Sequence, residues 1–68
     1  MPQLMYELVD YFNDLVDLKN NNMLDEQEKG EMRGIKEAFR ACGYKMKRDE
    51  NGHVVALYER EGLYYVFG

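Results

Sequence analysis

A chain of 68 residues has room for one domain with a thin core, because domains of this size bury only about 60% of the surface that the unfolded chain exposes. Hydrophobic residues make up 46% of the chain and aromatic residues 13%, which excludes a compositionally disordered protein. The net charge of −4 disfavours a nucleic-acid ligand, since that affinity comes mostly from positive charge. We therefore predict a single small domain over residues 1–68.

The segment 3–19 predicts an amphipathic helix, because its apolar residues recur at spacings of three and four. These residues are Leu4, Leu8, Tyr11, Leu15 and Leu18, with Met5, Val9, Phe12 and Val16 widening the apolar arc. The opposite face carries an acidic ridge, which consists of Glu7, Asp10, Asp14 and Asp17. The following residues, 20–22, are all Asn and predict a helix cap and a loop, since Asn tolerates the left-handed conformation.

A second helix is predicted to begin after Asp25, because Asp25 and Glu28 have the spacing of a capping box. Its apolar stripe is Met32, Ile35, Phe39 and Cys42, and a basic ridge follows its outer face: Lys29, Arg33, Lys36 and Arg40. Gly43 is placed to end this helix in the left-handed conformation, with Tyr44 packing back on Phe39.

Residues 44–67 predict a three-stranded antiparallel meander. Asn51-Gly52 between alternating apolar residues predicts a two-residue type I′ turn, with positive φ at both positions. The register that follows pairs Glu50 with His53, Arg48 with Val55, Met46 with Leu57, and Tyr44 with Glu59.

A three-residue loop, Arg60-Glu61-Gly62, is predicted for the second turn, because Gly supplies the left-handed residue that such a loop needs. This loop pairs Glu59 with Leu63, Leu57 with Tyr65, and Val55 with Phe67. One sheet face then holds Tyr44, Met46, Val55, Leu57, Leu63, Tyr65 and Phe67, and the helices cover it. The other, the open sheet face, carries Lys45, Lys47, Val54, Ala56, Tyr58, Tyr64 and Val66. The expected fold class is α+β, with two N-terminal helices on one face of a three-stranded antiparallel meander (ααβββ).

The side chains argue against an enzyme. The chain contains no Ser or Thr, and Cys42 is expected to be a buried apolar residue while His53 flanks an exposed turn. A single Cys and a single His among scattered carboxylates form no recognisable metal site. We expect no cofactor. No apolar run reaches the roughly 18 residues of a membrane span, and the first residues lack a basic, then apolar, leader. We expect a cytoplasmic protein that does not contact a membrane.

Charge is segregated along the sequence, and this pattern bears on partners. Residues 1–28 carry seven acidic residues against one basic residue, whereas residues 29–48 carry seven basic residues against two acidic ones. The acidic ridge suits an imitation of nucleic-acid phosphates that occupies a basic groove of a protein. It is also what the solvated face of a helix looks like, and the basic ridge could neutralise it within the fold.

The open sheet face supports two other hypotheses. Lys45 and Lys47 beside Tyr58 and Tyr64 suit stacking of single-stranded bases. An apolar patch there, with Val66, also suits a homodimer.

In size, acidity and lack of catalytic groups, the chain resembles small phage-encoded inhibitors of host defence or nucleic-acid enzymes, such as anti-CRISPR proteins. The resemblance concerns the class of protein, not a motif, and it transfers no residues. It implies a non-catalytic inhibitor of a basic, nucleic-acid-handling protein, in the host cytoplasm. The alternatives are a single-stranded nucleic-acid-binding protein and a homodimeric structural protein.

Overall fold

The computed structural model describes residues 3–59, 62 and 64–67. It contains helices α1 (Gln3–Asn20) and α2 (Glu26–Ala41), followed by strands β1 (Tyr44–Arg48), β2 (Val54–Glu59) and β3 (Tyr64–Val66). The strands form one antiparallel sheet in the order β1-β2-β3, with α1 contacting β2 and α2 contacting β1. The predicted α+β arrangement of two helices and a three-stranded meander is confirmed.

The core is formed by one arc of α1, a narrow stripe of α2, and the central strand. Its buried members are Val9, Phe12, Leu15, Val16, Met32, Phe39, Val54 and Leu57. On α1 the buried arc is centred on Phe12, so two residues of the predicted stripe lie at its margin: Leu4 is 63% exposed and Tyr11 is 41% exposed. The arc of nine apolar positions was wider than the core needed, because one helix buries only the face that meets the sheet and α2.

The two ends of α2 have the predicted local hydrogen bonds and contacts. At α2 the Asp25 carboxylate accepts from the Glu28 N–H at 2.7 Å, while the Glu28 carboxylate accepts from the Asp25 N–H at 3.1 Å. Gly43 has a φ of 86°, and the ring of Tyr44 meets the ring of Phe39 edge-on at 6.1 Å. The capping box, the glycine cap and the aromatic contact are all confirmed.

The Asn-rich segment ends α1 in a Schellman motif. Asn22 has a φ of 58°, and the N–H of Met23 donates to the carbonyl of Leu18 at 2.8 Å. The N–H of Asn22 donates to the carbonyl of Lys19 at 3.0 Å. These two bonds satisfy carbonyls that the helix end would leave unpaired.

The first hairpin differs from the predicted two-residue turn. Asp49 pairs with His53, since the Asp49 N–H donates to the His53 carbonyl at 2.9 Å, so the loop contains three residues, Glu50, Asn51 and Gly52. Gly52 has the positive φ, at 93°, whereas Asn51 does not. The Asp49 carboxylate accepts from the N–H groups of Asn51 and His53, at 2.9 and 3.0 Å, and this Asx-type bonding favours the longer loop.

The longer loop changes the register next to the turn. Arg48 pairs with Val54, not with Val55, and the register shifts between Lys47 and Arg48. The pairings of Met46 with Leu57 and of Tyr44 with Glu59 beyond that point are confirmed. The shift turns Val54, predicted on the open sheet face, into the core, where it is 2% exposed. A bulge of this kind reverses the alternation of side chains.

The second hairpin agrees with the predicted register at Leu57, which pairs with Tyr65. Gly62 has a φ of 89°, and its N–H donates to the Glu59 carbonyl at 2.9 Å. The Phe67 N–H donates to the Val55 carbonyl at 2.8 Å. Arg60, Glu61 and Leu63, and with them the predicted pairing of Glu59 with Leu63, lie outside the described residues.

Candidate interaction surfaces

The acidic ridge lies on the solvent face of α1, but its four members are not equivalent. Glu7, Asp10 and Asp14 are exposed, and within the described part of the chain none of them forms an ion pair or a side-chain hydrogen bond. Asp17 instead forms a 2.6 Å hydrogen bond with the His53 Nε2 atom. The ridge available to a partner therefore consists of Glu7, Asp10 and Asp14, about 10 Å long at 1.5 Å per residue.

Asp17 belongs to a row of polar contacts between α1 and the first hairpin, which we call the helix–hairpin seam. Asn13, Asp17 and Asn20 stand at spacings of four and three on one side of α1. The Asn13 side chain accepts from the Val54 N–H at 2.7 Å and donates to the Val54 carbonyl at 3.2 Å. Asn20 donates to the Asn51 carbonyl at 3.0 Å.

The seam gives both backbone polar groups of Val54, the first residue of β2, a side-chain partner on α1. Such partners matter because a part-buried backbone group without one costs free energy. Sequence reasoning missed Asn13 and Asn20. The available signal was Asn13 itself, an amide at the margin of the apolar helical arc beside Val9 and Val16, where Asn is a poor helix former and a part-buried amide usually has a tertiary hydrogen-bond partner.

The basic ridge is exposed along its full length on α2. Lys29 contacts Glu26 at 3.2 Å, three residues earlier in the same helix. Among the described residues no ion pair joins the basic ridge to the acidic ridge. The basic ridge could have neutralised the acidic ridge within the fold, but no direct contact between described residues of the two ridges does so.

The open sheet face is partly exposed and partly filled. Lys45 and Lys47 are exposed, Tyr58 is 38% exposed and Val66 is 62% exposed, whereas Ala56 is buried at 1%. Val54 has left this face, as described above, and the side chain of Tyr64 lies outside the described part of the structure. With Val54 and Ala56 both buried, this face exposes fewer apolar side chains than strand alternation predicted.

In the part of the chain that the structure describes, no hydrogen bond joins Cys42 to His53. Cys42 is exposed, which corrects the expected burial, and His53 faces carboxylates: Nε2 contacts Asp17 at 2.6 Å and Nδ1 lies 3.7 Å from Asp49. Among the described residues no three His, Cys, Asp or Glu side chains converge as metal ligands would. No described helix is long and apolar enough to cross a membrane.

Two tyrosines are perturbed by neighbouring carboxylates. A 2.6 Å hydrogen bond from the Tyr11 hydroxyl to Glu31 joins α1 to α2 and raises the pKa of Tyr11. Burial, followed by the nearby charge of Glu59, raises the pKa of Tyr44, whose hydroxyl lies 3.3 Å from Glu59. A raised pKa means that the neutral phenol is favoured over the phenolate. Neither hydroxyl is therefore activated as a nucleophile.

Two grooves flank the helix pair. The first, about 430 Å³, is lined by Lys19, Asn22, Leu24, Lys29, Met32, Arg33 and Lys36. The second, about 380 Å³, is almost wholly apolar and is lined by Leu4, Met5, Leu8, Ala38, Phe39, Cys42 and Tyr44. Three members of the basic ridge thus share a concave surface, while its fourth member, Arg40, lies outside it.

The comparisons with known proteins decide nothing further about this chain. Neither a protein-family model, nor a curated protein, nor a solved structure matches it significantly.

Proposed function

We propose that this protein is a non-catalytic binding module that docks its acidic ridge into a basic groove of a nucleic-acid-handling protein and thereby inhibits it. The observation that carries the proposal is the row of three exposed carboxylates, Glu7, Asp10 and Asp14, without ionic partners in the described part of the chain. In the class of small phage-encoded inhibitors that the chain resembles, the compartment would be the host cytoplasm.

The ridge has the charge and the rigidity that such a role requires. Three like charges on one side of a helix create a one-signed field, which steers association with a surface of opposite sign. The helix that carries them is fixed on its reverse side by the buried side chains of Val9, Phe12 and Val16. A partner therefore meets a preorganised row of carboxylates, and little conformational entropy is lost on binding.

The test is a competition experiment. The chain is immobilised, proteins are captured from an extract of its host, and excess duplex DNA or RNA is added. The proposal expects the captured protein to be a nucleic-acid binder that is displaced by the polyanion. It also expects capture to weaken between low and physiological salt, since exposed charges are screened within about 10 Å at 0.1 M.

A matched pair of variants separates the ridge from net charge. The double substitution Asp10→Lys and Asp14→Lys should abolish capture, whereas Glu37→Lys with Glu50→Lys makes the same change of net charge at two exposed positions off the ridge and should leave it nearly intact. Equal losses in the two variants, or capture that is indifferent to nucleic acid, would contradict the proposal.

The exposure of Val66, at 62%, favours a second candidate on the open sheet face. An exposed apolar residue beside Tyr58, Lys45 and Lys47 suits either a second copy of the chain or stacked bases. The substitution Tyr58→Ser with Val66→Ser should then dissociate a dimer in light scattering or remove binding of single-stranded oligonucleotides. A monomeric wild type that binds no oligonucleotide would leave this face as ordinary surface.

A further inference from the structure

The first groove combines positive charge with an apolar floor. It lies between the loop after α1 and the first half of α2, and four of its lining residues are cations: Lys19, Lys29, Arg33 and Lys36. No acidic side chain of the described residues lines it. In a chain with a net charge of −4, this is a local reversal of sign.

The cations of the groove are available to a ligand. Lys29 is the member with an ion pair, to Glu26 at 3.2 Å, and both side chains are largely exposed, so the pair contributes little and exchanges readily. Among the described residues Lys19, Arg33 and Lys36 form no ion pair. Residues 29, 33 and 36 follow one side of α2 over roughly 10 Å at the helical rise per residue.

The remaining lining residues of the groove are two apolar side chains and one amide. Met32 is 5% exposed and belongs to the core, and together with half-buried Leu24 it gives the groove an apolar floor. Asn22, held in the left-handed conformation at the end of α1, adds an amide to the rim. A volume of about 430 Å³ lies within the range of small-molecule sites.

We propose that this groove binds a small phosphorylated molecule with a flat apolar body, of the nucleoside diphosphate class. The phosphates lie against Arg33, whose guanidinium can donate two parallel hydrogen bonds, and against the ammonium groups of Lys29 and Lys36. The apolar ring covers Leu24 and Met32. A long polyanion is disfavoured, because the acidic ridge of the same helix pair and the net negative charge repel it.

The experiment is a titration of the 15N-labelled protein with ADP, followed by amide chemical shifts, with adenosine and inorganic phosphate as partial probes. The proposal expects saturable shifts confined to residues 19–36 with ADP, and weaker binding of each partial probe, because each uses only half of the groove. Absence of saturable shifts with ADP would overturn it, as would shifts spread over both ridges.

Two neutralising variants test the groove against general surface charge. Arg33→Gln should weaken ADP binding by tenfold or more, because the loss of even one hydrogen bond to a charged group has about a tenfold effect. Arg40→Gln removes the same charge from the same ridge outside the groove and should leave binding within about twofold, a difference of about 0.4 kcal/mol. Glutamine preserves helix propensity, so both variants are expected to fold. Equal effects of the two, or tighter binding of a ten-nucleotide single strand than of ADP, would contradict a small-molecule site.

Discussion

The two ends of α1 are held by different kinds of contact. Toward its C-terminal end, Asn13, Asp17 and Asn20 form hydrogen bonds with the first hairpin. Toward its N-terminal end, the ring of Tyr6 meets the ring of Phe67 edge-on at 5.2 Å, with Met5 and Leu8 packed on the core. Hydrogen bonds are directional and select one register, whereas apolar contacts tolerate small displacements. Leu15 and Val16 are also buried toward the C-terminal end, each 1% exposed, so apolar packing continues along the helix and the seam adds the directional contacts that determine where the hairpin sits.

The largest expected effect comes from the apolar layer that both ends share. Leu57 is fully buried in β2, so Leu57→Ala should reduce the free energy of unfolding by about 2–5 kcal/mol. The measurement is urea unfolding at neutral pH. Val66→Ala truncates a side chain of the same sheet that is 62% exposed, and it should change stability by less than about 0.5 kcal/mol. Similar losses in the two variants would mean that the open sheet face is covered as well, and a larger loss in Val66→Ala would mean that the two faces are reversed.

The seam is tested by removing its central amide. Asn13→Ala leaves the part-buried N–H and carbonyl of Val54 without their partner, so we expect a loss of about 1–3 kcal/mol. The exchange protection of the Val54 amide hydrogen should fall with it. Asp14→Ala, one position along on the solvent face, is the control and should be nearly neutral. If the two variants unfold alike, the hydrogen bonds of the seam do not hold the hairpin.

A substitution in the turn beside the seam should lower stability by less, and its control should raise stability. Gly52→Ala forces a side chain into the left-handed region, at a φ of 93°, and should cost about 1–2 kcal/mol. Its Cβ would meet the Arg48 Nη2 atom at 3.2 Å, a contact that the flexible guanidinium can relieve. In Gly30→Ala, a helical site with nothing within 4 Å, we expect stabilisation by up to about 1 kcal/mol. Thermal unfolding of both variants measures the contrast.

The smallest effect is a dependence on high pH at the contact between α1 and α2. The hydrogen bond to Glu31 raises the pKa of Tyr11 above its usual value near 10, so the stabilisation is complete below that pH. It is lost as the pH rises toward the pKa of the folded protein, because the unfolded chain releases the proton first. Between about pH 8 and pH 11, the free energy of unfolding should therefore fall less steeply with rising pH for Tyr11→Phe than for the wild type. The measurement is urea unfolding at a series of pH values in this range.

Tyr44 contributes in the same direction, since burial raises its pKa as well. The residual slope in Tyr11→Phe should therefore decrease further when Tyr44→Phe is added. A wild type whose stability does not change across this pH range would contradict both assignments.

Sequence alone determined the order of the elements and the ends of the helices, because helix ends depend on neighbours within four or five residues. The period of apolar residues gave both helices, and Asp25, Glu28 and Gly43 marked the limits of the second one through local hydrogen bonds and a positive φ. The pairing of Met46 with Leu57 and of Leu57 with Tyr65 followed from strand alternation. The exposed positions of Glu7, Asp10 and Asp14 followed from the helical wheel.

Only the tertiary structure decided what happens where α1 meets the first hairpin. Asp49 closes a three-residue loop in place of the predicted turn, the register shift moves Val54 into the core, and Asn13 binds the backbone N–H and carbonyl of Val54. Asp17 leaves the acidic ridge for His53 in the same region. Asn51-Gly52 is compatible with either loop locally. The local hydrogen bonds of Asp49 favour the longer loop, and hydrogen bonds from a helix more than 30 residues away along the chain, as in the contact of Asn20 with Asn51, then hold that loop in place. The turn residues by themselves do not encode these long-range contacts.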